Sequence, residues 1–124
     1  VEKLGEALEK IDREAASQVE SPNFQSLYQI LLTQAGPSVA DSYYKSAMDA
    51  YQKEMYEDAI TDFVKASEYD PENGDIWYNL GNAYRQNGDK EEAIKAYTRV
   101  VENFQGTEKA RRSQSFLREL NEEQ

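Results

Sequence analysis

The groups in this 124-residue chain that could do chemistry are carboxylates, amides and nine tyrosines, because it holds no histidine and no cysteine. Without His the commonest general base and metal ligand is missing, and without Cys there is neither a thiolate nor a disulfide framework. The densest run of oxygen donors is Asp70-Pro71-Glu72-Asn73-Gly74-Asp75. Its glycine is misplaced for a calcium loop and no Glu follows at the required spacing, so the run reads as a turn between helices. The paired carboxylates Glu57/Asp58 and Glu91/Glu92 stand where helices begin, and attraction to the helix dipole accounts for them without catalysis. There is no phosphate-cradling glycine loop, dinucleotide fingerprint or zinc-hydrolase motif. The expectation is a protein that is not an enzyme and uses no cofactor and no metal.

Acidic residues outnumber basic ones 24 to 14, a formal charge of −10. A field of that sign repels phosphate backbones and anionic membranes, which predicts no nucleic-acid partner. No apolar run approaches the length of a membrane span, so no direct membrane insertion is expected of this segment. The chain opens at Val1 rather than Met, which suggests a piece of a longer protein or a processed one. The expected setting is a soluble domain, cytoplasmic or part of a membrane-anchored or envelope protein.

The elements that position these groups come from a repeat. Shifting the chain by 34 residues lays residues 40–73 on 74–107 without a gap. Asp41/Asp75, Tyr44/Tyr78, Gln52/Gln86, Glu57/Glu91, Ala59/Ala93, Ile60/Ile94 and Glu68/Glu102 are identical pairs. Tyr43/Trp77, Ala47/Gly81, Asp58/Glu92, Phe63/Tyr97 and Lys65/Arg99 are conservative ones. Each unit reads as two helices. Trp77, Leu80, Gly81 and Tyr84 follow the three-and-four spacing of one helix face, and Asn87-Gly88 ends that helix. Asp89 is then expected to cap the next helix, with Glu92 as its capping-box partner, and Ala93, Ile94, Tyr97, Val100, Val101 and Phe104 form its apolar side. In the first unit Asp70-Pro71 stops the second helix, and Glu54 occupies the place of the turn glycine, so that turn is either strained or differently shaped. Ala47/Gly81 and Ala59/Ala93 are small enough for two helices to cross closely, with large aromatic residues beside them.

This pattern resembles the tetratricopeptide repeat family, whose signature is a 34-residue helix–turn–helix with W-x2-L-G-x2-Y, then Ala, then an aromatic, then Pro. Here it stands as Trp77-Tyr78-Asn79-Leu80-Gly81-Asn82-Ala83-Tyr84, followed by Ala93 and Tyr97, with Gln105-Gly106 where the closing Pro is usual. The first unit keeps Ala47, Ala59, Phe63 and Pro71 but has Ser46 and Ala50 in place of Leu and Tyr. The resemblance covers roughly residues 40–120. It implies an all-α fold of antiparallel helix-turn-helix repeats stacked as a short right-handed α-solenoid. With the flanking segments, about seven helices are expected.

Beyond the repeats, Thr107 after Gly106 caps a third helix over 107–122. Its register places Arg111, Gln114, Ser115 and Arg118 where a further unit needs an aromatic, Leu, Gly and Tyr, while Ala110, Leu117 and Leu120 can pack back on unit two. That composition suits a terminal capping helix. At the other end, residues 1–36 form an amino-terminal unit ahead of the repeat domain at 37–124. Val1, Leu4, Leu8, Ile11 and Ala15 lie at heptad spacing, with Glu6/Lys10 and Glu9/Arg13 as supporting pairs. Ser21-Pro22 starts a further helix that Gly36-Pro37 ends, a degenerate half-repeat in which Gln25 and Gln29 stand where Ala and an aromatic belong. Two readings of the heptad helix stay open: a cap on the array within one molecule, or a dimer contact.

In stacked repeats the first helix of each pair lines a concave groove. The resemblance therefore assigns Asp41, Tyr44, Lys45, Met48, Tyr51 and Gln52 of unit one to a partner-binding groove. Unit two adds Asp75, Tyr78, Asn79, Asn82, Arg85 and Gln86, and the third helix adds Lys109, Arg112 and Phe116. Tyr78 and Asn82 are the foremost contact candidates; Tyr51 and Phe116 are equally readable as packing residues. Some family members grip the carboxylate end of an acidic peptide with a Lys, two Asn, a second Lys and an Arg. The matching positions here are Tyr44, Met48, Asn79, Lys109 and Ser113, of which two agree, so that mode is not expected. The expected function is a protein-protein interaction module that binds a peptide or protein in the groove. The alternative is a self-associating assembly module, a homo-oligomer held through the amino-terminal helices. The stretch from Val100 to Ala110 looks like the ends of repeat arrays in bacterial envelope and assembly proteins, which favours a bacterial source.

Overall fold

The computed structural model describes residues 22–122, and these are helical apart from short turns. Five helices follow in order: α1 Pro22–Gln52, α2 Tyr56–Tyr69, α3 Gly74–Gln86, α4 Lys90–Asn103 and α5 Glu108–Glu122. The expected count of about seven is corrected to five among the described residues. The helix expected over residues 1–18 lies outside them, and the two helices expected on either side of Gly36-Pro37 are one.

That continuity has a physical cause. Pro37 removes one backbone hydrogen bond and crowds the preceding turn, a cost of about 3 kcal/mol in a helix interior. Packing opposes it: Val39 and Ala40 are buried against Ala66, Tyr69 and Ile76, with Leu31, Leu32 and Ala35 packed alongside. Gly36 serves this contact rather than a turn. A methyl group there would overlap the Tyr69 carbonyl oxygen, so only glycine lets α1 and the end of α2 approach this closely. Pro37 itself points to solvent.

The repeat core sits where the sequence places it. Ala47, Ala59, Phe63, Ala93, Tyr97 and Val100 are wholly buried. A Cβ on Gly81 would lie 2.7 Å from the Tyr97 ring, so α3 and α4 cross through the space that a side chain would fill. Consecutive helices pack on one another, and α3 also touches α5.

The two intra-repeat turns are superimposable in their bonding. Met55 N–H donates to the Ala50 carbonyl at 2.9 Å, and Asp89 N–H donates to the Tyr84 carbonyl at 2.9 Å. Glu54 takes φ 60° where Gly88 takes φ 84°. The first turn is thus the strained alternative: it keeps the glycine geometry with a side chain in it. At α4 the capping box does not form. Asp89 makes no side-chain cap bond; Asn87 Nδ2 donates to its Oδ2 at 2.8 Å instead, and Glu92 pairs with Lys95. At α3 Asn73 is the cap, its Oδ1 accepting from Asp75 N–H at 3.0 Å. At α5 Thr107 Oγ1 accepts from Ala110 N–H at 3.1 Å, as expected. Ala110 and Leu120 are buried against Tyr97 and Val100, and Leu117 is half-buried, so α5 packs back on unit two.

Candidate partner-binding face

The first helix of each pair, with α5, carries residues that recur every 34 positions. Tyr44, Tyr78 and Arg112 form one row; Asp41, Asp75 and Lys109 a second; Lys45, Asn79 and Ser113 a third; Met48, Asn82 and Phe116 a fourth. Residues of neighbouring rows meet across the helices. Asn79 Nδ2 on α3 donates to the Tyr44 hydroxyl on α1 at 2.9 Å. Lys109 Nζ on α5 pairs with Asp75 Oδ1 on α3 at 3.0 Å, and the same ammonium lies 5.9 Å from the Tyr78 ring centroid. These bonds place α1, α3 and α5 along one surface.

The sequence-assigned residues divide into two groups. Asp41, Lys45, Gln52, Asp75, Gln86 and Arg112 are exposed, and Tyr44, Met48, Asn79 and Lys109 are half-buried with polar ends or edges reaching the surface. Asp41 and Lys45 pair with each other at 2.9 Å, and Arg112 pairs with Glu108 at 2.8 Å. Such exposed pairs are weak and can be exchanged for a ligand's charge at little cost. The second group turns inward. Tyr78 is 8% exposed and packs beside Tyr97 and Phe116. The Tyr97 hydroxyl donates to Asn82 Oδ1 at 2.5 Å and accepts from Arg85 Nε at 3.1 Å. Arg85 also stacks over Phe116, 4.1 Å from its centroid. Tyr51 meets Tyr56 edge-on at 5.4 Å. Ser113, which fills the third row but is not assigned to the groove, is fully buried with no hydrogen-bond partner for its hydroxyl, so that position presents nothing to a ligand.

Electrostatics follows from this packing. Burial pushes the Tyr97 hydroxyl up to about 12, with the Arg85 hydrogen bond opposing. Burial, then Asp75, raises Tyr44. The hydrogen bond to Asp75 raises Lys109, and the Tyr78 hydroxyl and Glu108 raise Arg112. At neutral pH the face thus offers neutral phenols, amides and firmly charged cations, groups suited to recognition.

Two open pockets border it. One of about 320 Å³ lies between α1 and the start of α3, lined by Pro37, Asp41, Tyr44, Asp70, Asn73 and Asp75. The other, about 340 Å³, is lined by Gly74, Asp75, Phe104, Thr107 and Lys109. Among the described residues no group of acidic side chains has a metal-holding arrangement. Sequence reasoning treated Asp70 and Asn73 only as turn residues and missed that they border the face. The signal was the crowding of oxygen donors directly before Asp75.

Residues 44–107, just over half of the chain, match the model of the tetratricopeptide repeat family. The chain belongs to the tetratricopeptide repeat family. Repeats of this family generally mediate contacts between proteins, and the helical repeat stack here agrees with that membership. No described helix of this repeat protein is long and apolar enough to cross a membrane.

Proposed function

We propose that the protein is a recognition module that holds a peptide or a protein segment on the face shared by α1, α3 and α5. The observation that carries the reading is the Tyr44–Asn79 bond together with the Asp75–Lys109 pair. These bonds fix polar and aromatic groups of three helices at one surface while leaving Asp41, Lys45 and Arg112 free to exchange partners. Preorganised groups lose little freedom on binding, which favours affinity. Tyr, Met and Arg are also the residue types enriched at interfaces. The face is short, so it suits one helix or a brief extended strand and a modest affinity. The protein would act as an adaptor or scaffold component rather than a catalyst.

The test is selection from a displayed peptide library on the intact chain. Peptides so obtained should lose about tenfold or more in affinity against Asn79→Ala with Arg112→Ala, since a few central residues carry most binding energy. Circular dichroism should stay unchanged, because Arg112 is exposed and Asn79 is only half-buried. Equal binding to the variant refutes the assignment of the face.

A further inference from the structure

We propose that Arg85, together with the amide of Asn82, is the subsite of the partner-binding face that takes a carboxylate of the bound peptide. This deepens the recognition reading and rests on it. The starting point is a difference among the cations of the face. Lys45 pairs with Asp41, Lys109 with Asp75 and Arg112 with Glu108. Arg85 is the exception on this face: among the described residues no carboxylate lies within ion-pair distance of it. The repeat does not account for it either, since Tyr51 and Glu119 stand one period before and after.

The packing beneath Arg85 holds it ready. Its guanidinium lies 4.1 Å from the Phe116 ring centroid, and Phe116 is itself stacked on Tyr97 at 5.2 Å. Nε donates to the Tyr97 hydroxyl at 3.1 Å. One edge of the guanidinium plane is thus fixed, and its terminal nitrogens bond nothing among the described residues. The same hydroxyl sets the Asn82 amide. It donates to Oδ1, so the oxygen is engaged and Nδ2 is the end left as a donor. Two donor groups tied to one phenol are therefore held side by side, and both side chains are only half-buried. Unit one has no counterpart, with Met48 and Tyr51 at these positions.

Donors without an acceptor select an anion. The planar guanidinium matches a carboxylate edge to edge. A dianionic phosphate calls for several cations, whereas here one guanidinium stands beside a neutral amide. The net charge of −10 does not forbid a carboxylate, because fields from exposed charges fade over about 8 Å at physiological ionic strength. Locally the sign is positive: burial raises the Tyr51 and Tyr97 hydroxyls, and the strongest charged neighbour of each is Arg85, which lowers them. The subsite is separate from the positions with which some family members grip a carboxyl terminus, where Asn79 and Lys109 are already bonded to Tyr44 and Asp75. An Asp or Glu side chain and a free carboxyl terminus share the required chemistry.

The test uses peptides selected on the intact chain from a library displayed with free carboxyl termini. They should share an Asp, a Glu or the terminal carboxylate at one position. Exchanging that residue for Asn or Gln, or capping the terminus as an amide, shows which source is used and should weaken binding about tenfold. Asn82→Asp is the matching variant of the protein. It keeps the oxygen that accepts from Tyr97, which preserves the fold, and puts an anion beside Arg85 in place of the open donor. It should weaken the parent peptide about tenfold and the amide version hardly at all, a coupling that a purely structural Arg85 would not produce. Arg85→Gln should show the same coupling. Peptides that need Asn79 and Arg112 yet share no carboxylate, or that bind Asn82→Asp as well as the original, would overturn this inference and leave the recognition face standing. Peptides indifferent to Asn79→Ala with Arg112→Ala, or a selection that yields none, would overturn both.

Discussion

The two repeats of this protein solve one packing problem in two ways. In unit two the crossing of α3 and α4 is filled by Tyr97, whose hydroxyl is held by Asn82 and Arg85. In unit one the equivalent positions are Phe63, Met48 and Tyr51, and Phe63 packs edge-on to Tyr44 with a centroid separation of 5.8 Å. A buried hydroxyl needs partners, and a buried ring without one must have apolar neighbours. The three positions therefore differ together. The small residue beneath the ring follows suit: Ala47 is accommodated at the first crossing, while at the second only the absence of a Cβ on Gly81 makes room for Tyr97. A repeat can thus preserve its geometry while changing whether its groove-side residues serve the core or remain free.

The largest effect that can break this comparison is expected at Gly81. Gly81→Ala should destabilise by about 1–3 kcal/mol in urea unfolding, because the new methyl meets a buried ring. A neutral or stabilising outcome, the usual result of removing a helical glycine, would mean that the crossing is looser than described. Next, Phe63→Tyr should cost about 2 kcal/mol, since the added hydroxyl finds Met48 and Tyr51 where unit two has Asn82 and Arg85. A fully tolerated Phe63→Tyr would show that the polar partners are not needed.

Tyr97→Phe should cost about 1 kcal/mol by leaving Asn82 and Arg85 unpaired. It also has a pH signature. Tyr97 has a folded-state value near 12 against an ordinary 10. The folded protein therefore holds the phenolic proton more tightly than the unfolded chain. Stability from this group is complete below pH 10 and is lost as the pH rises from about 10 to 12. Tyr97→Phe should flatten that alkaline decline, and an unchanged pH profile would place the effect elsewhere. The smallest effect is at the turns: Glu54→Gly should gain up to about 1 kcal/mol by relieving the left-handed backbone, whereas Gly88→Ala should lose a similar amount.

Much of this was legible in the residues. The 34-residue register, the turn at Asn87-Gly88 and the Thr107 cap all follow from side chains whose local preferences agree with the fold, and the repeat register exposed Glu54 as the residue whose preference does not. Gly36-Pro37 was misread because its glycine is required by the Tyr69 carbonyl of another helix, a contact that local sequence does not encode. Asp89 failed as a cap because Asn87, two residues earlier, took its carboxylate. Within the partner-binding face, periodicity identified which residues share a side but not how deep each sits. Tyr78, Asn82 and Arg85 turned out to be tied to Tyr97 and Phe116, while Asn79 and Lys109 span the helices. The exchange of Phe63 for Tyr97 alongside Met48 for Asn82 was the clue to that division.

The most direct test of the account is amide chemical-shift mapping of the intact chain titrated with a library-selected peptide. The account predicts perturbations concentrated at Asp41, Tyr44, Asn79, Lys109 and Arg112, with α2 and the outer side of α4 unaffected. Perturbations confined to α2 and α4 would contradict it.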